Sequence, residues 1–571
     1  MKPEARFALA LLLMIGVFVI TGVLFPTAPP EPPPADEVGG PGAPPVATDE
    51  RVDPPVELPG EAPDLSVPPT TVTPAGGELG LDETERIVTV ETPLYRIEFS
   101  NYGAAVRSVR LPGYESFTRE GWVELVPDGS EILTGQWQYQ SSGNPADLTR
   151  YPHTVTPADG IRIGEGGGPR TLAFRYDQPG EATFFSEIRY TFTADSYIIE
   201  VDGELPAVER PALFVGMGAG LAVNELKVED DLGRMAVSGN PVDGGIESLS
   251  LGRIREPEAI SGPLRWAAVK SKFFVEVILP ASRPGGAEVL SGIWADPANL
   301  ADRAAVRVGV PVSAAGTYSY RTYLGPIERD RLLAVGDDLE EVNPYGPGFL
   351  RALMRPLVVG VLWVVEALHE GLSLGYGWVL IVIGVLMRVV LWPLNRKSMR
   401  SQVKMMAIQP LAMDIRERYK SDPQRMQQET MKLYKEHQVN PLAGCVPLLI
   451  PMPVFFALFF VFQNTIALRG VPFMWLPDLS APDPLYILPL FFGLTMFLTM
   501  KLTQTAAPNP QMKMMMYVMP VMLTVMFLWW GLPSGLLLYY SATNVATIPQ
   551  QILITNERKK LQAANPVKHP A

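Results

Sequence analysis

Two periodicities divide the chain. Between residues 81 and 343 short runs alternate apolar and polar positions: Ile87-Val88-Thr89-Val90, Tyr95-Arg96-Ile97-Glu98-Phe99 and Val106-Arg107-Ser108-Val109-Arg110-Leu111. Glu187–Thr193, Tyr197–Val201, Val306–Val310 and Tyr318–Leu324 follow the same pattern, with Gly, Pro and Asp turns between them. A period of two is that of a strand with one buried face. Many short strands over this length predict an all-β, sandwich-like domain.

From Leu350 the period becomes helical. Leu350, Leu353, Met354, Leu357, Val361 and Leu368 share one face, while Arg351, Arg355, Glu366, His369 and Glu370 are polar. A helix lying in a membrane interface is expected over 344–373. Five apolar segments follow, expected as spans at about 376–394, 446–468, 485–500, 514–530 and 535–554, within a membrane core of 374–556. A sixth is Phe7–Phe25, behind Lys2 and Arg6. Residues 1–25 are expected to be an uncleaved anchor, although a cleaved signal peptide reads similarly. Residues 26–80, rich in proline and acid, lack the apolar side chains to fold and are expected to be an extended tether.

Charge sorts the segments. Residues 26–350 hold 25 Lys and Arg against 49 Asp and Glu, a net of −24; residues 351–571 hold 20 against 10, a net of +10. The loop Asn395–Asn440 has ten basic residues and five acidic ones, Lys501 and Lys513 bracket a loop with no acid, and the tail 557–571 opens Arg558-Lys559-Lys560. With six spans every basic loop falls on one side, which predicts cytoplasmic termini and an exported β domain. One cysteine, Cys445, excludes an intramolecular disulfide, and four scattered histidines suggest no metal site. No Gly-rich phosphate loop, paired carboxylates or nucleophile elbow stands out, so neither an enzyme nor a cofactor is expected.

One charge interrupts the apolar segments. Arg388 lies about eleven residues into its span, roughly 16 Å along a helix. Near a bilayer centre such a charge costs roughly 2.5–3.5 kcal/mol and usually faces a protein interior or water. Snorkelling toward Trp392 and Arg396 is the plain alternative. The remaining spans offer uncharged polar groups, among them Gln463, Asn464, Thr495 and Asn544. These read either as ordinary interhelical hydrogen bonding or as the lining of a wet groove shared with Arg388.

The basic loop, 395–445, reads as a helical hairpin. A first helix is expected from about Ser398 to Tyr419, and a second from Pro423, capped by Asp422, to near His437. Its Met405, Met406, Met413, Met426 and Met431 are flexible apolar groups suited either to packing or to receiving varied hydrophobic segments. Its basic residues suit anionic phospholipid.

Asn440-Pro441-Leu442-Ala443-Gly444-Cys445, Pro447-Leu448-Leu449-Ile450 and Pro453 closely resemble the signature of the YidC/Oxa/Alb family of membrane protein insertases. So do Asp478-Leu479-Ser480, Asp483-Pro484, Tyr486-Ile487-Leu488-Pro489, Pro533-Ser534-Gly535-Leu536 and Tyr539-Tyr540. Upstream, the anchor, tether and β domain look like the family's Gram-negative form. The resemblance implies a polytopic α-helical inner-membrane protein with a periplasmic β-supersandwich. Five core helices would form a hydrophilic groove open to cytoplasm and lipid, with Arg388 facing it and Tyr540 at a position of substrate contact. It also implies nascent inner-membrane proteins as substrates, the Sec translocon and the ribosome (at the C-terminal tail) as partners, and no direct nucleic-acid function. Enterobacterial members carry threonine one turn before the arginine; here that position is Gly384.

Two rivals remain on the sequence. A transporter or channel usually places ionisable groups in several spans and shows repeats. A tethered sugar- or peptide-binding protein would depend on the β domain.

Overall fold

The computed structural model describes residues 84–138, 146–178, 184–208, 211–281, 289–298, 303–344, 348–393, 408, 411–437, 451–503 and 510–564. The expected anchor and tether, Met405, Met406 and the Asn440–Cys445 motif lie outside the described residues.

The alternating runs become the strands they predict: Ile87–Glu91, Arg96–Ser100, Val106–Glu115, Phe185–Phe192, Ile198–Glu204, Ala304–Pro311 and Thr317–Pro326. In Phe185–Phe192 the residues Ser186, Ile188, Tyr190 and Phe192 point inward, while Glu187 and Arg189 point out and pair with each other. A five-stranded sheet runs in the order Trp122–Glu124, Val106–Glu115, Arg96–Ser100, Ile87–Glu91, Ile161–Arg162. It faces a second, 14-stranded sheet. Aromatic side chains fill the space between them: the Phe99 ring centroid lies 4.9 Å from that of Tyr190 and 5.6 Å from that of Phe174. Sheets stacked this way bury one face of each strand in a common core.

The strand Phe274–Pro280 has no alternation, because its residues are buried on both faces of the sheet, where it pairs with Glu258–Lys270 and Thr317–Pro326. Two short helices interrupt the strands, α1 (Val228–Arg234) and α2 (Arg329–Val335).

The helical region follows: α3 (Gly348–Leu372), α4 (Tyr376–Val390), α5 (Pro423–Glu436), α6 (Pro451–Asn464), α7 (Ile487–Thr503), α8 (Pro510–Trp530) and α9 (Ser534–Ala564). The segment 398–444, containing α5, forms a compact unit separate from the rest of the described chain. Within it Asp422 caps α5, its carboxylate accepting from the Arg425 N–H at 3.0 Å, and Pro423 occupies the first turn. Residues 411–418 are helical.

In the larger unit α9 is the hub. It packs on α4 and α7, while α8 packs on α7, and α3 packs on α6 and α4. The shared core includes Val379, Leu380, Ile383, Leu458, Phe462, Leu536 and Leu537. Large apolar side chains also stand outward, among them Val389, Leu494, Val521, Val525 and Trp529. Outward apolar side chains in this number call for a lipid or protein partner. Among the described residues, however, no helix is long and apolar enough to cross a membrane. α4, α6 and α7 have 15, 14 and 17 residues, or about 22, 21 and 26 Å at 1.5 Å per residue.

Candidate substrate-contact site around Arg388

A glycine sets the approach of α4 to α9. A β-carbon on Gly384 would stand 3.0 Å from the Thr543 hydroxyl and 3.1 Å from the Tyr539 carbonyl oxygen. Residues four apart share a helix face, so Leu380, Gly384 and Arg388 form one row against α9. Arg388 therefore faces the helix pair and not the exposed row of Val382, Val385 and Val389. It is half-buried and sits in the last turn of α4, nearer that helix's end than the sequence spacing implied. Its Nε atom is buried and has no hydrogen-bond partner among the described residues. The Tyr539 side chain lies within electrostatic range, and Gln550 donates to the Arg388 carbonyl at 3.2 Å.

Along α9 the hydroxyls turn inward onto their own backbone. Thr543 donates to the Tyr539 carbonyl at 2.8 Å, and Thr547 to the Thr543 carbonyl at 2.7 Å. Such back-bonding lets polar side chains sit in an apolar helix without a dedicated partner. Ser541 Oγ and Gln551 Oε1 are buried and unpartnered among the described residues. The Tyr539 and Tyr540 rings lie 5.0 Å apart; Tyr539 reaches Phe462 at 6.1 Å, and Tyr540 reaches Phe492 at 6.4 Å.

The structure brings some of the sequence-selected residues together. Asn544 donates to the Thr495 hydroxyl at 3.4 Å, joining α9 to α7 one turn from Tyr540. Gln463 and Asn464 are elsewhere. They end α6 and accept from Arg234 of α1, at 2.5 Å and 3.3 Å, so both amides are engaged by the β domain. In the 398–444 unit Met413 and Met431 are exposed and Met426 is half-buried.

Sequence reasoning missed a second arginine. Arg469, in the segment between α6 and α7, donates to Glu225 of the β domain at 2.7 Å, and the Arg469 side chain is only 3 % exposed. The two positions are 244 residues apart, and no local pattern links them. Beside them burial pushes the Glu225 carboxyl up, with Arg469 opposing, and burial pushes Asp231 up to about 6. Among the described residues no group of three or more His, Cys, Asp or Glu is placed to hold a metal ion.

Residues 87–359 match the family described as YidC periplasmic domain, and residues 367–562 match that described as 60Kd inner membrane protein. Membrane protein insertase YidC of Syntrophus aciditrophicus is 30 % identical over 569 residues, covering 97 % of this chain and 100 % of that protein. The protein of the same name from Geotalea uraniireducens is 30 % identical over 556 residues, covering 96 % and 99 %. A crystal structure titled as an active YidC insertase with its first transmembrane domain resolved is 18 % identical, with a TM-score of 0.34, over 82 % of this chain and 92 % of that one. A galactose mutarotase related enzyme from Lactobacillus acidophilus is 12 % identical over 42 % of this chain and 97 % of its own, with a TM-score of 0.27. At those scores neither likeness in shape bears on function.

Proposed function

This chain belongs to the YidC family of membrane protein insertases, and from that premise we propose that Arg388 is the fixed charge past which its substrates move. The family is one of multi-pass inner-membrane proteins and not of enzymes, and its substrates are nascent membrane proteins. One observation carries the role of Arg388: a half-buried guanidinium whose Nε has no hydrogen-bond partner among the described residues, on the same face as Gly384 and beside the tyrosine pair of α9.

The physics is that of a shortened barrier. A hydrophilic segment crossing an intact bilayer exposes polar groups to hydrocarbon at several kcal/mol each. A hydrated recess among the helices removes part of that path. Arg388 attracts the acidic or carbonyl groups of the passing segment, and Tyr540, Thr495 and Asn544 offer it hydroxyl and amide contacts. The segment's apolar stretch leaves along the outward Val and Leu face into lipid. Burial there drives the step, helped by the membrane potential acting on negative charges moving outward.

The surrounding architecture completes the reading. Six spans put both termini and the basic loop 395–440 in the cytoplasm, and the acidic β domain on the other side. The Met-bearing hairpin receives the substrate from the ribosome, which the basic tail contacts together with anionic phospholipid. The insertase acts alone or beside the Sec translocon.

Replacing Arg388 with Ala and with Lys tests the central claim, scored as insertion of a short substrate with an acidic translocated segment into proteoliposomes. A lost charge-assisted contact of roughly 1.5–3 kcal/mol corresponds to a tenfold or greater drop for Ala, with Lys retaining part of the activity. Full activity of the Ala variant would end the electrostatic role.

A further inference from the structure

The best-built polar cluster away from Arg388 joins the β domain to the segment 465–486 between α6 and α7. Arg469 is its centre. Its Nε donates to Glu225 at 2.7 Å and one terminal nitrogen donates to the Asn224 carbonyl at 3.3 Å. Its guanidinium lies 4.4 Å from the Phe117 ring centroid and 5.4 Å from that of Phe274. The charge is thus paired, hydrogen-bonded and sandwiched by aromatic rings, with its side chain and that of Glu225 only 3 % and 9 % exposed. On either side, Arg234 holds Gln463 and Asn464, and Lys227 donates to the Gly531 carbonyl at 3.4 Å.

The gripped segment is in turn stitched to the starts of two helices. Ser534 donates from its hydroxyl to the Asp478 carbonyl at 2.9 Å and from its N–H to the Ala481 carbonyl at 2.7 Å. The Gly535 N–H donates to the Leu479 carbonyl at 2.9 Å. These bonds fix the first turn of α9, whose next turn carries Tyr539 and Tyr540. Asp483 caps the start of α7 by accepting from the Leu488 N–H at 2.7 Å.

We infer that Arg469 is a positioning residue for insertion: through it the β domain holds the 465–486 segment, and that segment sets the registers at which α7 and α9 present Thr495, Tyr540 and Asn544. The inference rests on the proposed role of the Arg388 site. Breaking the pair at Glu225 leaves the buried Arg469 without its counter-charge, held only by the Asn224 carbonyl and the rings, whereas reversing both charges keeps opposite charges together.

The test uses the full-length protein in liposomes with three variants: Glu225→Gln, Arg469→Lys, and the double exchange Glu225→Arg with Arg469→Glu. Hydrogen exchange of residues 465–486 and of the first turn of α9 reads the docking directly. Photo-crosslinking from position 540 and, separately, from position 388 to a ribosome-bound nascent chain reads presentation of the site. Glu225→Gln is expected to speed exchange in 465–486 at least tenfold and to cut crosslinking from 540 several-fold, while crosslinking from 388 changes less than twofold. The double exchange restores the pair but sets a carboxylate against the Asn224 carbonyl and the ring faces, so it is expected to recover only part of both losses, and Arg469→Lys, which keeps the charge but not the fork, to show a smaller loss than Glu225→Gln.

Unchanged exchange in Glu225→Gln overturns the inference. So does faster exchange with unaltered crosslinking from 540, because the pair would then be structural only. If the unaltered protein gives no crosslink from 388, the proposed role of Arg388 fails, while the exchange data still decide whether Arg469 docks the β domain.

Discussion

The two arginines of the helical region have opposite surroundings. Arg469 has a carboxylate, a carbonyl and two aromatic rings around it, with almost no exposed side-chain surface. Arg388 is half-buried, its Nε has no hydrogen-bond partner among the described residues, and the Tyr539 side chain lies within electrostatic range. They sit at opposite ends of the same arrangement. Gly377, in the first turn of α4, packs on Phe473 just beyond Arg469, and Arg388 lies eleven residues further along, about 16 Å away at 1.5 Å per residue. Among the described residues one arginine is satisfied completely and the other is not, as expected if the first holds structure and the second has the substrate-meeting role proposed above.

That contrast is broken most directly by removing Glu225. Glu225→Ala leaves Arg469 charged and buried, a loss of roughly 3–5 kcal/mol for a broken buried pair. Arg388→Ala removes a charge without orphaning another among the described residues and should cost clearly less, on the order of 1 kcal/mol. Unfolding by denaturant, followed in detergent-solubilised full-length protein, should therefore rank the two variants in one order, and insertion assays in the reverse order. In a chain lacking residues 84–343 Arg469 meets water, so the penalty of an unpaired buried charge disappears, while the lost docking should still cut crosslinking from position 540. Equal stability losses in the two arginine-site variants would erase the distinction.

A smaller effect is expected from pH, and it separates the docking end from the rest of the β domain. Asp231 of α1 lies behind Glu225 and Lys272, is pushed up to about 6 by burial, and accepts the Lys272 N–H at 3.2 Å. Its folded pKa exceeds the ordinary value of 3.8, so its contribution is fully present below pH 3.8 and is lost as pH rises through 6. The magnitude is about 3 kcal/mol at 1.36 kcal/mol per unit. His153 works the other way. Burial lowers it from 6.5 to about 4, so its contribution is present above 6.5 and is lost as pH falls toward 4. Asp231→Asn should make the domain's stability fall more steeply on acidification between pH 6 and 4, and His153→Gln should flatten it. Parallel profiles for both variants and the parent would show that neither group titrates there.

How much of this was legible beforehand depends on the range of the interaction. Strands such as Arg96–Ser100 and Phe185–Phe192 announce themselves because a half-buried strand must alternate. The start of α5 is legible because Asp422 and Pro423 are local signals with local consequences. Phe274–Pro280 carries no period, since both faces are covered, and Glu276 in its middle reads as surface although it is fully buried. At the Arg388 site the charge and the polar positions were visible, and so was the resemblance of Tyr539-Tyr540. Where Gln463 and Asn464 would go was not, because their partner, Arg234, is some 230 residues away and belongs to another fold type. Pairings of that length are decided by how two domains meet, and no window of sequence contains that.

Between the two ends, the comparison turns on how closely α4 approaches α9. Adding a β-carbon at Gly384 puts it 3.0–3.1 Å from Thr543 Oγ1 and the Tyr539 carbonyl, and a backbone carbonyl cannot rotate aside. Gly384→Val should therefore cost about 1–3 kcal/mol through overpacking and move Arg388 away from the tyrosine pair. The expected signature is a lost crosslink from 388 with exchange at 465–486 unchanged, since the Arg469 end lies beyond the helix contact. Gly384→Ala asks for a shift of only a few tenths of an ångström and should keep most of the insertion activity.

The smallest effect belongs to the hydrogen bond from Asn544 to Thr495, long at 3.4 Å and the link between α9 and α7 beside Tyr540. Interhelical hydrogen bonds in membrane proteins average about 0.6 kcal/mol, because each partner finds substitutes when released. Thr495 keeps its own donation to the Phe491 and Phe492 carbonyls, at 2.9 and 3.0 Å, whether or not Asn544 is present. Asn544→Leu should therefore leave unfolding stability almost unchanged. If Asn544 belongs to the surface that meets substrate with Arg388, the same variant should lower insertion of polar translocated segments by several-fold and spare purely apolar ones. A stability loss with no selectivity between substrates would instead assign Asn544 to the holding end of the comparison, alongside Arg469.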